Sequence, residues 1–350
     1  MNETSELLPI PPLSPQTLAT KLSASQPSAK KSKLVIKHGK HPEPEIGYQQ
    51  NFFQVSFYAM ASDCELLIDL PESRIGLAKH LADIAIREVW RIEQKYSRYL
   101  TDNVFAQMHK YPGSWQKIDD ETYRLLEFAD QGWQISDGLF DLTSGILRRA
   151  WTFNGGDQLP ESKDIEALLP SIGWSKLDFR RHGHQAQLLL PKGMELDFGG
   201  IAKEYAVDRA LGLMLSHVQE EKIETSLLVN LGGDMACSGP RINGDSWKVA
   251  IECPDITEGC DKSSLALLSL SGGGLATSGD SQRYLLKDGI RYSHVLNPQT
   301  GWPIQNTPRS ITVAAPSCAQ SGLVATLALL HGKEADVFLK QTGLKYWLVE

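Results

Sequence analysis

The chain has 350 residues, of which 41% are hydrophobic and 22% charged. That balance suits a chain that folds around a core, and the length allows one large domain or two of ~100–200 residues each. Lys and Arg number 35 against 42 Asp and Glu, a net charge of -7. Such a chain lacks the positive field that nucleic acid or an anionic membrane surface would need. No apolar run reaches the ~20 residues of a membrane span. The five cysteines, Cys64, Cys237, Cys253, Cys260 and Cys318, are odd in number and form no C-x-x-C. A disulfide framework and a structural zinc site are therefore not expected.

In chain order, residues 1–45 come first and are rich in Pro, Ser and Lys. A segment of this kind buries too little apolar area to offset its ordering entropy. It reads as a disordered tail ahead of a single domain over 46–350. It holds no uninterrupted ~7–15-residue apolar stretch of a secretory signal, so a cytoplasmic location is expected. The lysines Lys30, Lys31, Lys33, Lys37 and Lys40 read as part of a solvated linker or as a contact for an anionic partner.

Phe52–Met60 and Cys64–Leu70 read as a first pair of strands. Ser73–Ser97 reads as a helix, because Leu77, Leu81, Ala85, Val89 and Ile92 recur at helical spacing. Asp119 and Asp120 can cap a second helix that Gly138 closes. Gln185–Pro191 and Met194–Gly199 read as a hairpin around Lys192 and Gly193. The helix over Gly199–Val218 carries a stripe of Ala202, Ala206, Ala210 and Leu213 suited to close packing. Short strands follow at Ser226–Gly233, Trp247–Glu252, Leu265–Ser271, Ile290–Leu296 and Ser310–Ala315. A last helix begins near Gln320 with Leu323, Leu327 and Leu330. Strands and helices alternate irregularly, which points to an α/β fold of the α+β type, with mixed, largely antiparallel sheets and packed helices.

Glycine-rich turns punctuate this order. Asp197-Phe198-Gly199-Gly200 leads from a predicted strand into a helix whose first turn holds Lys203. Free N–H groups at a helix start, helped by the helix dipole, form an anion seat, and Lys203 would add a point charge. The alternative is a plain tight turn with Lys203 in solvent. Leu231-Gly232-Gly233-Asp234 and Gly272-Gly273-Gly274 allow either structural turns or close approach of a ligand. Asp141, after Phe140, reads as a helix cap. His294 stands between a strand and a turn made by Asn297, Pro298 and Gly301, as a catalyst or as a satisfied polar residue. Tyr96 and Tyr99 end the first long helix, where an exposed ring can stack on a flat ligand.

The order of these blocks carries more than any one of them. Met60-Ala61-Ser62, Tyr96-Ser97-Arg98-Tyr99, Gly138-Leu139-Phe140-Asp141-Leu142-Thr143 and Asp197 through Asp208 come first. Val229 through Asp234, Ala276 through Asp280, Ser293 through Gly301, and Ala325-Thr326 follow. Together, over about residues 50–350, they resemble the FAD:protein FMN transferase (ApbE-like) family. The resemblance implies transfer of FMN from FAD to a threonine hydroxyl of an acceptor flavoprotein, with AMP released and Mg2+ required. It implies that Met60 and Tyr99 contact the flavin and that Leu139, Phe140 and Asp141 line the dinucleotide. Asp197 and Lys203 would hold its ribose and phosphate portions, and His294 with Val295 would close over it. His294 and Asp280 are the candidates for general base.

For the metal, the resemblance implies the main-chain oxygen of Gly200 and the hydroxyl of Thr326. The family's third ligand, an aspartate four residues before the threonine, falls on Gly322 here, or on Ser321 with one insertion. Neither supplies a carboxylate, although Mg2+ normally keeps at least one. Three outcomes follow: Asp280 or Asp208 reaches the site, substrate phosphates and Thr326 hold the ion, or the activity is lost and an FAD-binding relative remains. On this reading, Gly322→Asp restores the ion's anchor. Glu204 stands where the family has glycine, and Ala61-Ser62 where it has Gly-Thr.

Overall fold

Phe53, Val55 and Phe57 are buried while the residues between them are half-buried or exposed, the two-residue period of a strand with one face on a core. The strand is β2 (Phe52–Ala59), which stands between β1 (Glu45–Gln49) and β3 (Ser62–Ile68) in an antiparallel meander. The computed structural model describes residues 41–251, 266–280 and 283–350. The expected tail up to residue 40, with its lysines, lies outside the described residues, as do Cys253 and Cys260. The account below concerns the unit Pro44–Glu350.

After β3 come the helices α1 (Ile75–Tyr96) and α2 (Val104–Met108), strand β4 (Trp115–Ile118), and helices α3 (Asp120–Ile135) and α4 (Ser162–Leu168). Strands β5 (Asp178–His182) and β6 (Gln185–Leu189) lead to α5 (Ala202–Glu220). Then follow β7 (Leu227–Leu231), β8 (Asp234–Cys237), β9 (Trp247–Ile251), β10 (Ala266–Leu270) and β11 (Gly273–Gly279). The chain continues through β12 (Tyr284–Lys287), β13 (Ile290–Ser293), β14 (Ser310–Ala315), α6 (Cys318–Leu330), α7 (Ala335–Thr342) and β15 (Lys345–Val349).

Eight of these strands form one sheet in the order β1-β2-β3-β7-β8-β11-β14-β15, and every neighbouring pair is antiparallel. The expected α/β fold with largely antiparallel sheet is therefore what the chain adopts. Side-chain alternation explains why the sheet has two covered faces. On β7, Leu227, Val229 and Leu231 join the main core with α1 and α5, while Leu228 joins Trp247 and Val249 of β9. Each such leucine or valine, fully buried, contributes about 1.5–3 kcal/mol of transfer free energy. Helices α1, α5 and α6 pack against the sheet, and α5 lies against α1 through buried Ala206 and Ala210. Of the expected stripe, Ala202 and Leu213 are only half-buried; Val207, Leu211, Met214 and Val218 complete the buried face.

One hairpin is placed differently from its sequence reading. Strand β6 pairs with β5 around Gly183 and with β4 on its other side, and Met194–Gly199 is no strand. Pro191 has no N–H to continue a ladder, so the chain leaves the sheet there and turns. Asp119 accepts from the Thr122 N–H at 2.8 Å and caps α3 as expected. The last predicted helix, α6, is followed by α7 and the edge strand β15, which its apolar pattern did not separate.

Candidate functional site

The turn joining β2 to β3 puts two ordinary residues at positive φ, Met60 at 52° and Ala61 at 59°. Each such residue costs on the order of 1 kcal/mol, so the surroundings must hold them. The Met60 N–H donates to Glu93 Oε1 on α1 at 2.9 Å. The next residue, Ser62, faces the β7–β8 turn, where Gly232 has φ +60°. A Cβ at Gly232 would stand 2.7 Å from Ser62 and 3.9 Å from Lys203 Nζ, so glycine lets three segments meet.

Asp197 begins the approach to α5. Its carboxylate accepts from the Gly199 N–H at 2.9 Å and is also ion-paired with Arg98. The Arg98 guanidinium lies 5.1 Å from the Tyr99 ring and donates to its hydroxyl at 3.1 Å. Tyr99 itself is 79% exposed, an open aromatic face beside a charged pair. Burial alone would pull Arg98 down, but Asp197 and the Tyr99 hydroxyl together outweigh it and raise the group overall. His109 braces this segment from behind: its Nε2 accepts from the Leu196 N–H at 2.9 Å while Nδ1 faces the Phe105 carbonyl at 2.7 Å.

Lys203 follows one turn later. Its ammonium is 2.6 Å from Asp234 Oδ2, and the other oxygen of Asp234 accepts from the Thr277 N–H at 3.0 Å. Lys203 is therefore neither a solvated lysine nor an unpaired anion seat. Burial pulls it down, and the Asp234 carboxylate overrides burial and raises it. Thr277 lies on β11, and its neighbour Ser278 shares a 3.0 Å hydrogen bond with Thr326 of α6. The Phe198–Gly200 turn also packs against α6, which brings Gly200 into the same neighbourhood.

Glu204 stands beside Lys203 and points toward α6. A Cβ on Gly322 would lie 2.6 Å from Glu204 Cγ and 2.9 Å from its Oε1. The Glu204 Oε2 is out of solvent and has no hydrogen-bond partner among the described residues. Burial first, and then the charge of Asp234, raise the Glu204 carboxyl well above the ordinary range. The two acids expected as substitutes are occupied elsewhere. Asp208 accepts from the N–H groups of Cys318 and Ala319 at 2.8 and 2.9 Å and so helps to seat the start of α6. Asp280 receives Arg291 Nε at 2.9 Å and Arg309 Nε at 2.8 Å, one on each oxygen. Ser321, the other position considered for the acid, gives its hydroxyl to the Ser317 carbonyl at 3.0 Å.

His294 packs edge-on to Phe153, and its Nδ1 lies 3.2 Å from the Arg283 carbonyl. A carbonyl only accepts, so Nδ1 carries the proton and Nε2 keeps its lone pair in the neutral ring. Burial, then the Arg283 charge, lowers the imidazole and keeps it neutral. Val295 packs against two core clusters beside it. Leu139 lies half-buried against the core, and buried Phe140 approaches Gly200. Asp141 has the capping role read from its position: it accepts from the Thr143 N–H at 2.8 Å and the Trp174 N–H at 2.9 Å.

The site is thus a continuous line. It runs from Tyr99 and Arg98–Asp197 through Lys203–Asp234 and Glu204 to Ser278–Thr326, then along β11 to Asp280 and His294. Met60 joins it through the turn of Ser62 and Gly232. Asp141 sits behind the line with its carboxylate turned inward. Sequence reasoning passed over Arg98 and Glu204. The signal for Glu204 was a pair of departures, an acid gained at 204 and one missing at 322, that were read separately. Among the described residues no three His, Cys, Asp or Glu side chains converge as a ready-made metal site. A divalent ion here would need hydroxyl, main-chain and phosphate oxygens around a single carboxylate, a set that suits Mg2+. The orphaned Glu204 oxygen and the cleared space at Gly322 fit that requirement.

The fold and the site define an α/β protein with a charged, glycine-lined site where helix starts meet one end of an antiparallel sheet. Comparison places it further: residues 56–348 match the model of the ApbE family, and the chain belongs to that family. It is 31% identical to the FAD:protein FMN transferase of Salmonella typhimurium over 220 residues, 61% of this chain and 60% of that protein. The Vibrio cholerae FAD:protein FMN transferase is 27% identical over 256 residues, 72% of this chain and 73% of that one. The match thus spans under two thirds of the Salmonella protein. Among solved structures, the ApbE protein of Thermotoga maritima superposes with a TM-score of 0.73 at 25% identity, covering 85% of this chain and 94% of that one. The Pseudomonas stutzeri flavinyl transferase ApbE, in its apo form, gives 0.69 at 25% identity, covering 88% and 92%.

Proposed function

We propose that this protein transfers FMN from FAD to a threonine hydroxyl of an acceptor flavoprotein, releasing AMP. The observation that carries the reading is the set of paired contacts Arg98–Asp197, Lys203–Asp234 and Ser278–Thr326 near the exposed Tyr99 ring, in a chain that belongs to the ApbE family. The exposed Tyr99 ring offers a face for the flat flavin, and Met60 would contact it as the resemblance implies. Arg98 and Lys203 place two cations where the pyrophosphate would lie, each already held by a carboxylate and so oriented before substrate arrives. Leu139, Phe140 and Val295 supply apolar walls.

In the transfer, the acceptor's threonine oxygen attacks the FMN phosphorus, a new phosphoester bond forms, and the bridging P–O bond to AMP breaks. His294 Nε2, bare in the neutral ring, takes the threonine proton. Asp280 does not serve as base on this reading, because both its oxygens answer arginines; it positions Arg291 and Arg309. Mg2+ held by Thr326, Gly200 and a carboxylate would neutralise charge on the phosphate oxygens. Free, buried Cys64, Cys237 and Cys318 suit a reducing compartment, and the proposal places the protein in the cytoplasm. No helix of the described residues is long and apolar enough to cross a membrane.

Gly322 is the feature that favours a second reading, an FAD-binding relative without transfer. One experiment separates the two. The purified protein is incubated with FAD, Mg2+ and an acceptor domain that presents a threonine, and the acceptor is weighed by mass spectrometry. FMN on the threonine, lost in His294→Ala, is the expected result. Bound FAD with no labelled acceptor would sink the transferase.

A further inference from the structure

We propose that Glu204 of α5 is the carboxylate ligand of the divalent ion, reaching across to α6 over the space that Gly322 leaves open. The inference rests on the functional reading above and adds a ligand to it.

Three observations converge on the assignment. The first is space. Position 322 lacks a side chain, and the Glu204 side chain fills that volume, since a Cβ at 322 would come within 2.6 Å of it. The carboxylate thus sits above the face of α6 that carries Thr326 one turn further on, because residues i and i+4 share a helix face. The second is the unfilled oxygen. A buried carboxylate oxygen without a partner is costly, and nearly all such atoms in folded proteins find one. Glu204 Oε2 has none among the described residues, while Asp234 and Asp208 are both engaged. Asp234 has Lys203 and the Thr277 N–H; Asp208 has two main-chain N–H groups.

The third is charge. The ammonium of the neighbouring Lys203 is engaged by Asp234 at 2.6 Å, and among the described residues Glu204 forms no ion pair, so no cation of the described chain answers its carboxylate. A hard cation satisfies the orphan oxygen and the excess charge together. Mg2+ needs only one or two carboxylates when phosphates, hydroxyls and water complete its shell. The acid has thus changed helices while the ion's position relative to Thr326 stays the same.

The exchange makes a demand that a lone change at 322 cannot meet. On this proposal Gly322→Asp by itself sets a second acid against Glu204, which would have to move aside. The paired swap Glu204→Gly with Gly322→Asp removes the clash and returns an acid to the same place.

The test measures Mn2+, a probe with the same preference for oxygen, by electron paramagnetic resonance with and without FAD. Wild type, Glu204→Gln and the paired swap are compared, and FAD binding without metal is followed by flavin fluorescence. Glu204→Gln is expected to weaken Mn2+ at least tenfold while FAD affinity changes less than twofold. The paired swap should recover Mn2+ binding to within about threefold of wild type, which shows that an acid at that point, and no general effect on folding, is responsible. If wild type and Glu204→Gln bind Mn2+ equally, this inference is overturned and the functional reading stands. If wild type binds FAD but no Mn2+, the metal-dependent reading itself falls.

Discussion

Two acids of the site invite comparison, buried Asp280 at the end of β11 and half-buried Glu204 at the start of α5. Asp280 is wrapped: both oxygens meet a guanidinium nitrogen, and its main-chain oxygen accepts from Arg291 at 2.7 Å. Glu204 is open, with an oxygen that no described residue answers. The difference teaches how to tell a brace from a ligand. A carboxylate with both oxygens engaged holds neighbours in place, and one with an oxygen left over is placed to take a further partner. By the same criterion Asp141 and Asp208 are braces, and sequence position alone would have ranked all four alike.

The sharpest way to break the comparison is to remove the brace. Asp280→Ala leaves Arg291 and Arg309 without their shared partner. Breaking a buried ion pair from one side costs about 3–5 kcal/mol; here the lower end applies, since Arg291 keeps its stacking on Tyr284. Urea unfolding of wild type and variant gives the loss directly. A change below about 1 kcal/mol would mean that Asp280 is no brace, and its claim to be the general base would reopen.

The brace and the ligand were not equally legible in the sequence. Periodicity found α1, α5 and α6, because Leu81, Ala85, Val89 and their like repeat over whole helices, and the caps at Asp119 and Gly138 found α3. It did not find β8 or β11. The first is buried along its whole length, and the second begins with two glycines, so neither alternates. The hairpin at Lys192 was misplaced because β6 is a middle strand whose partners are both remote from the turn that follows it. At the site, the Asp197–Lys203 segment and His294 could be read from their blocks. The partners that give them meaning could not: Arg98 to Asp197, Asp234 to Lys203 and Gly322 to Glu204 are contacts between elements far apart in the chain.

His109 extends the comparison to a titrating brace. Both ring nitrogens are engaged, with Nε2 accepting from Leu196, so the folded protein holds the neutral form. Burial lowers the group; Glu195 and Asp197 oppose that in part, and Arg148 reinforces it. The sign follows from linkage. A lowered folded value means that the unfolded chain takes up the proton first, so stability is intact above the ordinary imidazole pKa of ~6.5 and falls as pH drops below it. Between pH 7 and 5 the wild type should lose on the order of 1 kcal/mol more than His109→Gln. Parallel pH profiles for the two proteins would remove His109 from the set of braces.

The smallest expected effect is the most informative about Glu204. If its carboxylate awaits an ion, the metal-free protein gains little from keeping it. Burial and the charge of Asp234 both disfavour the ionised form. Glutamine has the same shape, carries no charge, and can turn an N–H toward a neighbouring carboxylate. Replacing a buried charge by a neutral group of similar volume is often neutral or stabilising, so Glu204→Gln should leave stability within about 0.5 kcal/mol of wild type. The measurement is urea unfolding in the presence of a chelator, set beside Asp280→Ala under the same conditions. A loss above about 2 kcal/mol would show that Glu204 already holds the fold together without metal, and the distinction between the brace and the ligand would collapse.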